Sequence, residues 1–218
     1  MRFEKTEVWG FEHAIRGMRN PMNSHKKSDS TELAIGSNDL ELMQKLIQSG
    51  PEHRKFMRQI FVSVDITAPL YWWKEFDTYK IGTTANSTST MHKLASMPIT
   101  IDCFEIDDFE SINVNKLEST ADIWEIIISY CEQLRLKYNE TKDKCYWKEL
   151  IRLLPESWLQ TRTVTMNYEN VLSMVNQRKK HKLTEWSISL INWVHTLPYA
   201  NELIFGGYYE KEDEKINN

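Results

Sequence analysis

The hydrophobic and polar positions of this chain alternate with period two most clearly between Phe56 and Thr67. There Ile60, Val62, Val64 and Ile66 interleave with Gln59, Phe61, Ser63 and Asp65, the pattern of a strand with one buried face. Upstream, Asn38 followed by Glu41 reads as a helix N-cap pair, and Leu40, Met43, Leu46 and Ile47 form a helical stripe ending before Gly50. Farther on, Ile123, Ile127, Tyr130, Cys131, Leu134 and Tyr138 recur at three- and four-residue steps, which predicts a long amphipathic helix from about Ala121 to Tyr138. Leu150, Leu153 and Leu154 mark a further helical turn before Pro155. Leu159 to Met166, with threonines at 161, 163 and 165, has the branched, alternating character of a strand. Val171, Met174, Val175 and Arg178 then share one helical face, and Trp186, Leu190, Trp193 and Val194 define a last helix.

Two stretches, Asn20 to Ser30 and Tyr79 to Ser96, are polar with few core-forming residues and read as loops or extended excursions. After Tyr209 the tail is charged and lacks apolar anchors, so residues 210–218 are expected to be disordered and residues 1–209 to form one domain. Helices dominate and strand signals are few. An α+β fold is therefore expected rather than a doubly wound sheet.

Composition narrows the function classes. With 27 basic and 31 acidic side chains the net charge is −4, so no global field favours nucleic acid or an anionic membrane. Three cysteines, Cys103, Cys131 and Cys145, give neither a disulfide framework nor a metal-binding pair, which points to the reducing cytoplasm. No apolar run reaches the roughly 18–20 residues that span a bilayer, and the N-terminus lacks a signal-peptide core, so a soluble, unprocessed protein is expected. Glycine-rich phosphate loops and metal-ligand spacings are also lacking, so a metal is not expected and any nucleotide would be held by side chains.

Arg178 is the first candidate, because the stripe begun by Val171 puts its guanidinium on a face that packs. An arginine there needs a partner: either a structural ion pair or a fork donor to a carbonyl or phosphate of a ligand. His181, beside Lys179, Lys180 and Lys182, is either a ligand contact or a cation favouring a helix C-terminus. His53 is either an exposed loop histidine or a ring contact, and the hydroxyl run from Thr83 to Thr90 is either a polar surface loop or a set of phosphate donors. Trp72 and Trp73 read as core.

Leu154 and Pro155, Thr165 and Asn167, Arg178, His181 and Trp186 stand in the order and nearly the spacing of the C-terminal motifs of the flavin-dependent thymidylate synthases (the ThyX family), which the chain resembles over roughly residues 50 to 195. The N-terminal half is similar in layout: Ala68 and Pro69 lead a strand into LYWWKEFD. Where that family carries Arg-His-Arg-x-x-Ser, this chain reads Thr78, Tyr79, Lys80, Ile81, Gly82, Thr83. The following serine and arginine positions fall on Thr88 and Thr90, a glutamine position on Glu75, and an arginine near Pro155 is met out of register by Arg152.

The resemblance implies a single-domain ThyX-like fold with an antiparallel sheet packed by long helices, a homotetramer, and sites built at subunit interfaces. It implies catalytic roles for Arg178 and Thr88. Cofactor contacts fall to His53, Thr78, Tyr79, Lys80, Asn86, Asn167 and His181, and substrate contacts to Glu75, Thr83, Thr90, Arg152 and Arg178. The implied chemistry is reductive methylation of dUMP or a related pyrimidine nucleotide, with FAD, NADPH and methylenetetrahydrofolate. Charge-assisted hydrogen bonds contribute roughly 1.5–3 kcal/mol each, so losing the motif's cations weakens binding by orders of magnitude unless other groups replace them. The alternative is a catalytically inactive homologue that senses or sequesters a nucleotide or flavin.

Overall fold

A computed structural model describes residues 1–106 and 120–206, with the backbone alone at 120–122. The charged tail at 210–218 lies outside the described residues. Four strands form one sheet in the order β1-β2-β4-β3: β1 Arg2–Trp9, β2 Phe61–Pro69, β3 Thr84–Ser87 and β4 Leu159–Asn167. Eight α-helices accompany them among the described residues: α1 Phe11–Arg19, α2 Ser37–Gln48, α3 Leu70–Phe76, α4 Thr90–Lys93, α5 Thr120–Thr141, α6 Lys144–Leu153, α7 Tyr168–Arg178 and α8 Ile191–His195. β2 and β4 run antiparallel. The Thr67 and Thr161 hydroxyls meet at 2.7 Å, Thr163 Oγ1 donates to Asp65 Oδ1 at 2.6 Å, and the backbone bonds Tyr168 N–H to Ile60 O and Leu70 N–H to Trp158 O bracket the pair.

The described residues group into two compact units. One comprises Met1, residues 66–78 and residues 86–162; the other comprises residues 2–65, residues 79–85 and the chain from Thr163 on.

In the first unit, Pro69 takes an extended conformation and ends β2, and α3 starts at once. Its first amides find acceptors outside the helix, Leu70 N–H at Trp158 O and Tyr71 N–H at Glu156 O. Trp72, Trp73 and Phe76 are buried, with Trp72 stacked on Phe76 at 5.2 Å and Trp73 Nε1 donating to Gln160 O at 2.9 Å. The two tryptophans are core, as expected. α5 packs on α6, and Leu94, Ile99, Phe104, Cys131, Leu134 and Leu150 form a hydrophobic cluster. Glu132 is bonded by Arg135 and by the Ile99 amide, and both interactions hold its carboxyl below the usual range.

In the second unit, Met43, Met57, Ile60, Val62, Val64, Tyr168, Leu172, Trp186 and Val194 are fully buried or nearly so. Gly10 turns β1 into α1 with φ 98°, and a Cβ there would lie 2.1 Å from Gln59 O, so no other residue fits. A buried ion pair ties α1 to α2: Arg19 Nε donates to Asp39 Oδ1 at 2.5 Å, with 4% and 0% of the two side chains exposed. Burial alone would push the Asp39 carboxyl up. Hydrogen bonds from the Ser30 and Ser28 hydroxyls and from Arg19 overcome this and hold it at about 2. Removing one partner of such a pair costs about 3–5 kcal/mol.

Several elements differ from their expected limits. The strand begins at Phe61, because adjacent Phe56 and Met57 are both buried and break the alternation; Lys55–Gln59 is a 3-10 turn instead. α2 starts at Ser37, and its capping acceptor comes from Asp29, which takes the Asn38 and Asp39 amides at 2.9 and 3.1 Å. The Tyr79 to Ser96 stretch is not all loop: it contains β3 and α4, the latter capped by Ser89. Asn20–Met22 and His25–Lys27 are 3-10 turns. The last helical region is split into π-helical Glu185–Leu190, α8, and π-helical Asn201–Phe205.

Candidate functional site

α7 owes its place to Asn167. The asparagine side chain accepts from the Asn170 amide at 3.0 Å while Asn170 Oδ1 accepts from the Asn167 amide at 3.2 Å, a reciprocal capping box. Tyr168, Val171, Leu172, Met174 and Val175 bury one face, and Arg178 closes the last turn, where a cation suits the helix dipole.

The stretch from Tyr79 to Thr83 lies along this helix. Arg178 Nε donates to the Tyr79 hydroxyl at 2.9 Å, and that hydroxyl donates to Gln177 Oε1 at 3.1 Å. The guanidinium carbon sits 4.8 Å from the centre of the Trp186 ring and 5.6 Å from that of Tyr79. Such contacts are worth about 0.5–2 kcal/mol, rising as water is excluded. Two residues on, Ile81 O accepts from Asn170 Nδ2 at 2.8 Å, and Thr83 Oγ1 donates to Tyr79 O. Between them Gly82 has φ 78°, and a Cβ there would come within 2.8 Å of Asn170 Oδ1. His181 lies beside the cluster: its Nδ1 accepts from the Leu183 amide at 3.2 Å, and its ring meets Trp186 edge-on at 6.4 Å.

Tyr79, Arg178 and His181 therefore gather around Trp186, with Thr83 bonded to the backbone of Tyr79. Tyr79 and Arg178 come from the two segments that carry the family-like motifs, and these already touch within one chain. Lys80 is exposed on the same stretch. Asn167 serves as the cap of α7, and its carbonyl oxygen is occupied by that role.

His53 is exposed and lines a separate cleft of about 630 Å³ in the same unit, with Lys55 and Glu52 at its polar edge and Met18, Met22, Leu42, Leu46 and Phe56 as apolar wall. Its neighbours Arg54 and Arg58 both pair with Glu169 at the start of α7.

The remaining candidates belong to the first unit. Thr78 is exposed and its hydroxyl donates to Glu75 O at 2.7 Å; Glu75 is half-buried on α3. Asn86 is exposed on β3. Thr88 N–H donates to Thr161 O at 2.9 Å, and Gln160 Nε2 donates to Thr88 O at 2.9 Å and to Thr90 Oγ1 at 3.3 Å. Arg152 is exposed on α6 and pairs with Glu149 at 3.0 Å.

Three polar residues escaped the sequence reading. Asn170 and Gln177 fasten the motif stretch to α7; the Asn-x-x-Asn spacing of a capping box was the available signal for Asn170. Arg162, in the first unit, pairs with Asp77 at 2.7 Å and lies 4.2 Å over Trp73. It sits one alternation step from Gln160 on β4.

No protein-family model and no curated protein sequence matches the chain. Solved structures do. Two are structures of the flavin-dependent thymidylate synthase ThyX from Helicobacter pylori with FAD and dUMP, each 16% identical to this chain with a TM-score of 0.69; they match over 94% of this chain and 98% and 97% of their own. The chain has the α+β fold of those flavin-dependent thymidylate synthase structures.

Proposed function

We propose that this chain binds FAD and a pyrimidine nucleotide and acts as a flavin-dependent thymidylate synthase-like enzyme, reductively methylating dUMP or a related pyrimidine nucleotide with NADPH and methylenetetrahydrofolate. The observation that carries this reading is the Tyr79–Arg178 bond at 2.9 Å, which joins the two motif-bearing segments on a fold shared with proteins solved with FAD and dUMP. In this reading Arg178 polarises a pyrimidine carbonyl or holds a phosphate, and Tyr79 and Trp186 fix its orientation by a hydrogen bond and a ring contact. Thr83, in the same unit as Arg178, is a further substrate contact in this reading, and Thr88, Thr90, Glu75 and Arg152 are the candidate nucleotide-binding residues of the first unit.

The His53 cleft suits a flavin. Its volume of about 630 Å³ falls in the range of small-molecule sites, its walls are apolar, and His53 and Lys55 supply polar groups at the edge. Bound there, the flavin would carry hydride between NADPH and the methylating centre. The lining residues of that cleft would orient the ring and exclude water. Tyr79, Lys80, Asn167 and His181 in the same unit, and Thr78 and Asn86 in the first unit, are retained in this reading as cofactor candidates outside the cleft. A homotetramer working in the cytoplasm belongs to the same reading.

A second reading has its own support. Arg178 Nε is already engaged by a tyrosine where the family carries a cationic motif, which favours a protein that binds a nucleotide or flavin without turnover. Purification separates the two. A yellow protein with flavin absorbance that oxidises NADPH and methylates dUMP supports the enzyme. A preparation that binds dUMP or FAD with no methylation supports the second reading, and one that binds neither removes both.

A further inference from the structure

In the second unit, α1, the Ser28–Ile35 segment and Tyr199 enclose a cavity of about 490 Å³ that shares no lining residue with the His53 cleft. We propose that this cavity binds a small monocarboxylate with an apolar or aromatic body, held through Arg19, Arg16 and the Tyr199 hydroxyl. This goes beyond the nucleotide and flavin reading and does not depend on it.

The key group is Arg19. Only 4% of its side chain is exposed, yet its hydrogen bonds use Nε, to Asp39, and Nη1, to Ser24 O at 3.2 Å and Ser24 Oγ at 3.4 Å. The Nη2 amine makes no hydrogen bond among the described residues, and Arg19 is part of the cavity wall. Asp39 does not use up the guanidinium. The carboxylate also takes the Ser28 and Ser30 hydroxyls at 2.7 and 2.6 Å and the Asp29 and Ser30 amides at 3.2 and 3.1 Å, so Arg19 gives it a single bond. A nearly buried guanidinium with unspent N–H groups on a cavity wall calls for an oxygen acceptor, and a planar carboxylate matches its geometry.

The surroundings define the rest of the ligand. Tyr199 Oη accepts from the Ile35 amide at 2.9 Å, and its own proton has no acceptor among the described residues, which adds a second donor. Arg16 lies one helical turn before Arg19 on α1 and is exposed at the cavity. Phe11 meets Tyr199 edge-on at 5.6 Å, and with Ile15 these rings give an apolar corner for the ligand's body. Glu12 and Glu32, exposed on the rim, penalise multiply charged anions, so a monocarboxylate is favoured over a phosphate. The Ser28–Ile35 part of the wall is preorganised: Thr31 N–H bonds Ala34 O at 2.9 Å, and Gly36 N–H bonds Ser30 Oγ at 3.0 Å.

The test is calorimetric titration of the full chain with phenylacetate and indole-3-acetate, with neutral phenylacetamide and inorganic phosphate as controls. Amide NMR shifts would map the site. At least one acid is expected to saturate the protein within the millimolar range and to shift the amides of α1 and Ser28–Ile35, with the amide analogue and phosphate bound about tenfold more weakly or less well. Arg19→Lys is expected to lower acid affinity by about tenfold, and Arg16→Gln and Tyr199→Phe by severalfold, while dUMP and FAD binding stay unchanged. Should Arg19→Lys fail to fold, the two milder variants carry the test. No saturable binding of either acid, equal binding of acid and amide, shifts confined to the Tyr79–Trp186 region, or unaltered affinity in the folded variants would overturn the proposal.

Discussion

Arg178 at the end of α7 donates its Nε proton to the hydroxyl of Tyr79 at 2.9 Å, so the polar stretch from Tyr79 to Thr83 is tied to the last turn of that helix. The same hydroxyl passes its proton to Gln177, and Trp186 lies against the guanidinium face. Orientation of that guanidinium thus depends on a phenol as well as on the helix.

Removing the phenol oxygen tests this dependence. Tyr79→Phe keeps the ring contact and deletes one charge-assisted bond, so dUMP affinity is expected to fall by about tenfold, with little change in thermal stability, by calorimetric titration. Tighter binding in this variant would mean that Tyr79 competes with the ligand instead of orienting Arg178.

Asn167 was expected beside a flavin and is found capping a helix, and the two roles respond differently to substitution. Asn167→Ser retains an N-cap oxygen and is expected to unfold within a few degrees of the parent, whereas Asn167→Ala loses about 1 kcal/mol. If flavin affinity drops sharply in the serine variant while stability holds, the residue also touches the cofactor.

Gly82 lets the motif stretch turn onto Asn170. Gly82→Ala combines a left-handed backbone with a Cβ 2.8 Å from Asn170 Oδ1, and denaturant unfolding is expected to show a loss of about 1–2 kcal/mol. An unchanged midpoint would show that the stretch can be rebuilt at no cost.

Asp39 makes acid stability legible. Its carboxyl is held at about 2 in the folded chain against an ordinary 3.8, so the folded state binds its proton less readily than the unfolded one. The resulting stabilisation, roughly 2 kcal/mol, is fully present above about pH 4 and is lost as the pH falls toward 2. Asp39→Asn is expected to be less stable at neutral pH and to lose less of its remaining stability over that acid window, which unfolding at a series of pH values would measure.

The chain's legibility varied with burial. β2 and β4 were readable because one face of each is packed, and α5 and α7 because their apolar residues recur at helical steps. β1 was not read: Arg2–Trp9 is an edge strand exposed over most of its length, so charges interrupt any alternation. α1 was also passed over, although Ala14, Ile15 and Met18 form its buried side. Within the site, Arg178 stood out because a charge on an apolar stripe is anomalous, and its partner Tyr79 lay at the altered motif. Gln177 gave no such signal, since an exposed amide on a helix looks like ordinary surface until a neighbouring segment docks on it, and for Asn170 the capping-box spacing from Asn167 was present but not used. Asp29 as the capping group of α2 was hidden for the same reason, because the acceptor comes from a preceding turn and not from the helix itself.

The most direct measurement is dUMP binding by the purified chain and by Arg178→Ala, with circular dichroism and thermal unfolding recorded on both. The expected result is saturable binding by the parent and a loss of at least about tenfold in the variant, with the fold retained. A folded variant that binds dUMP as well as the parent, or a parent that does not bind it, would contradict the assignment of Arg178 as the nucleotide-holding group.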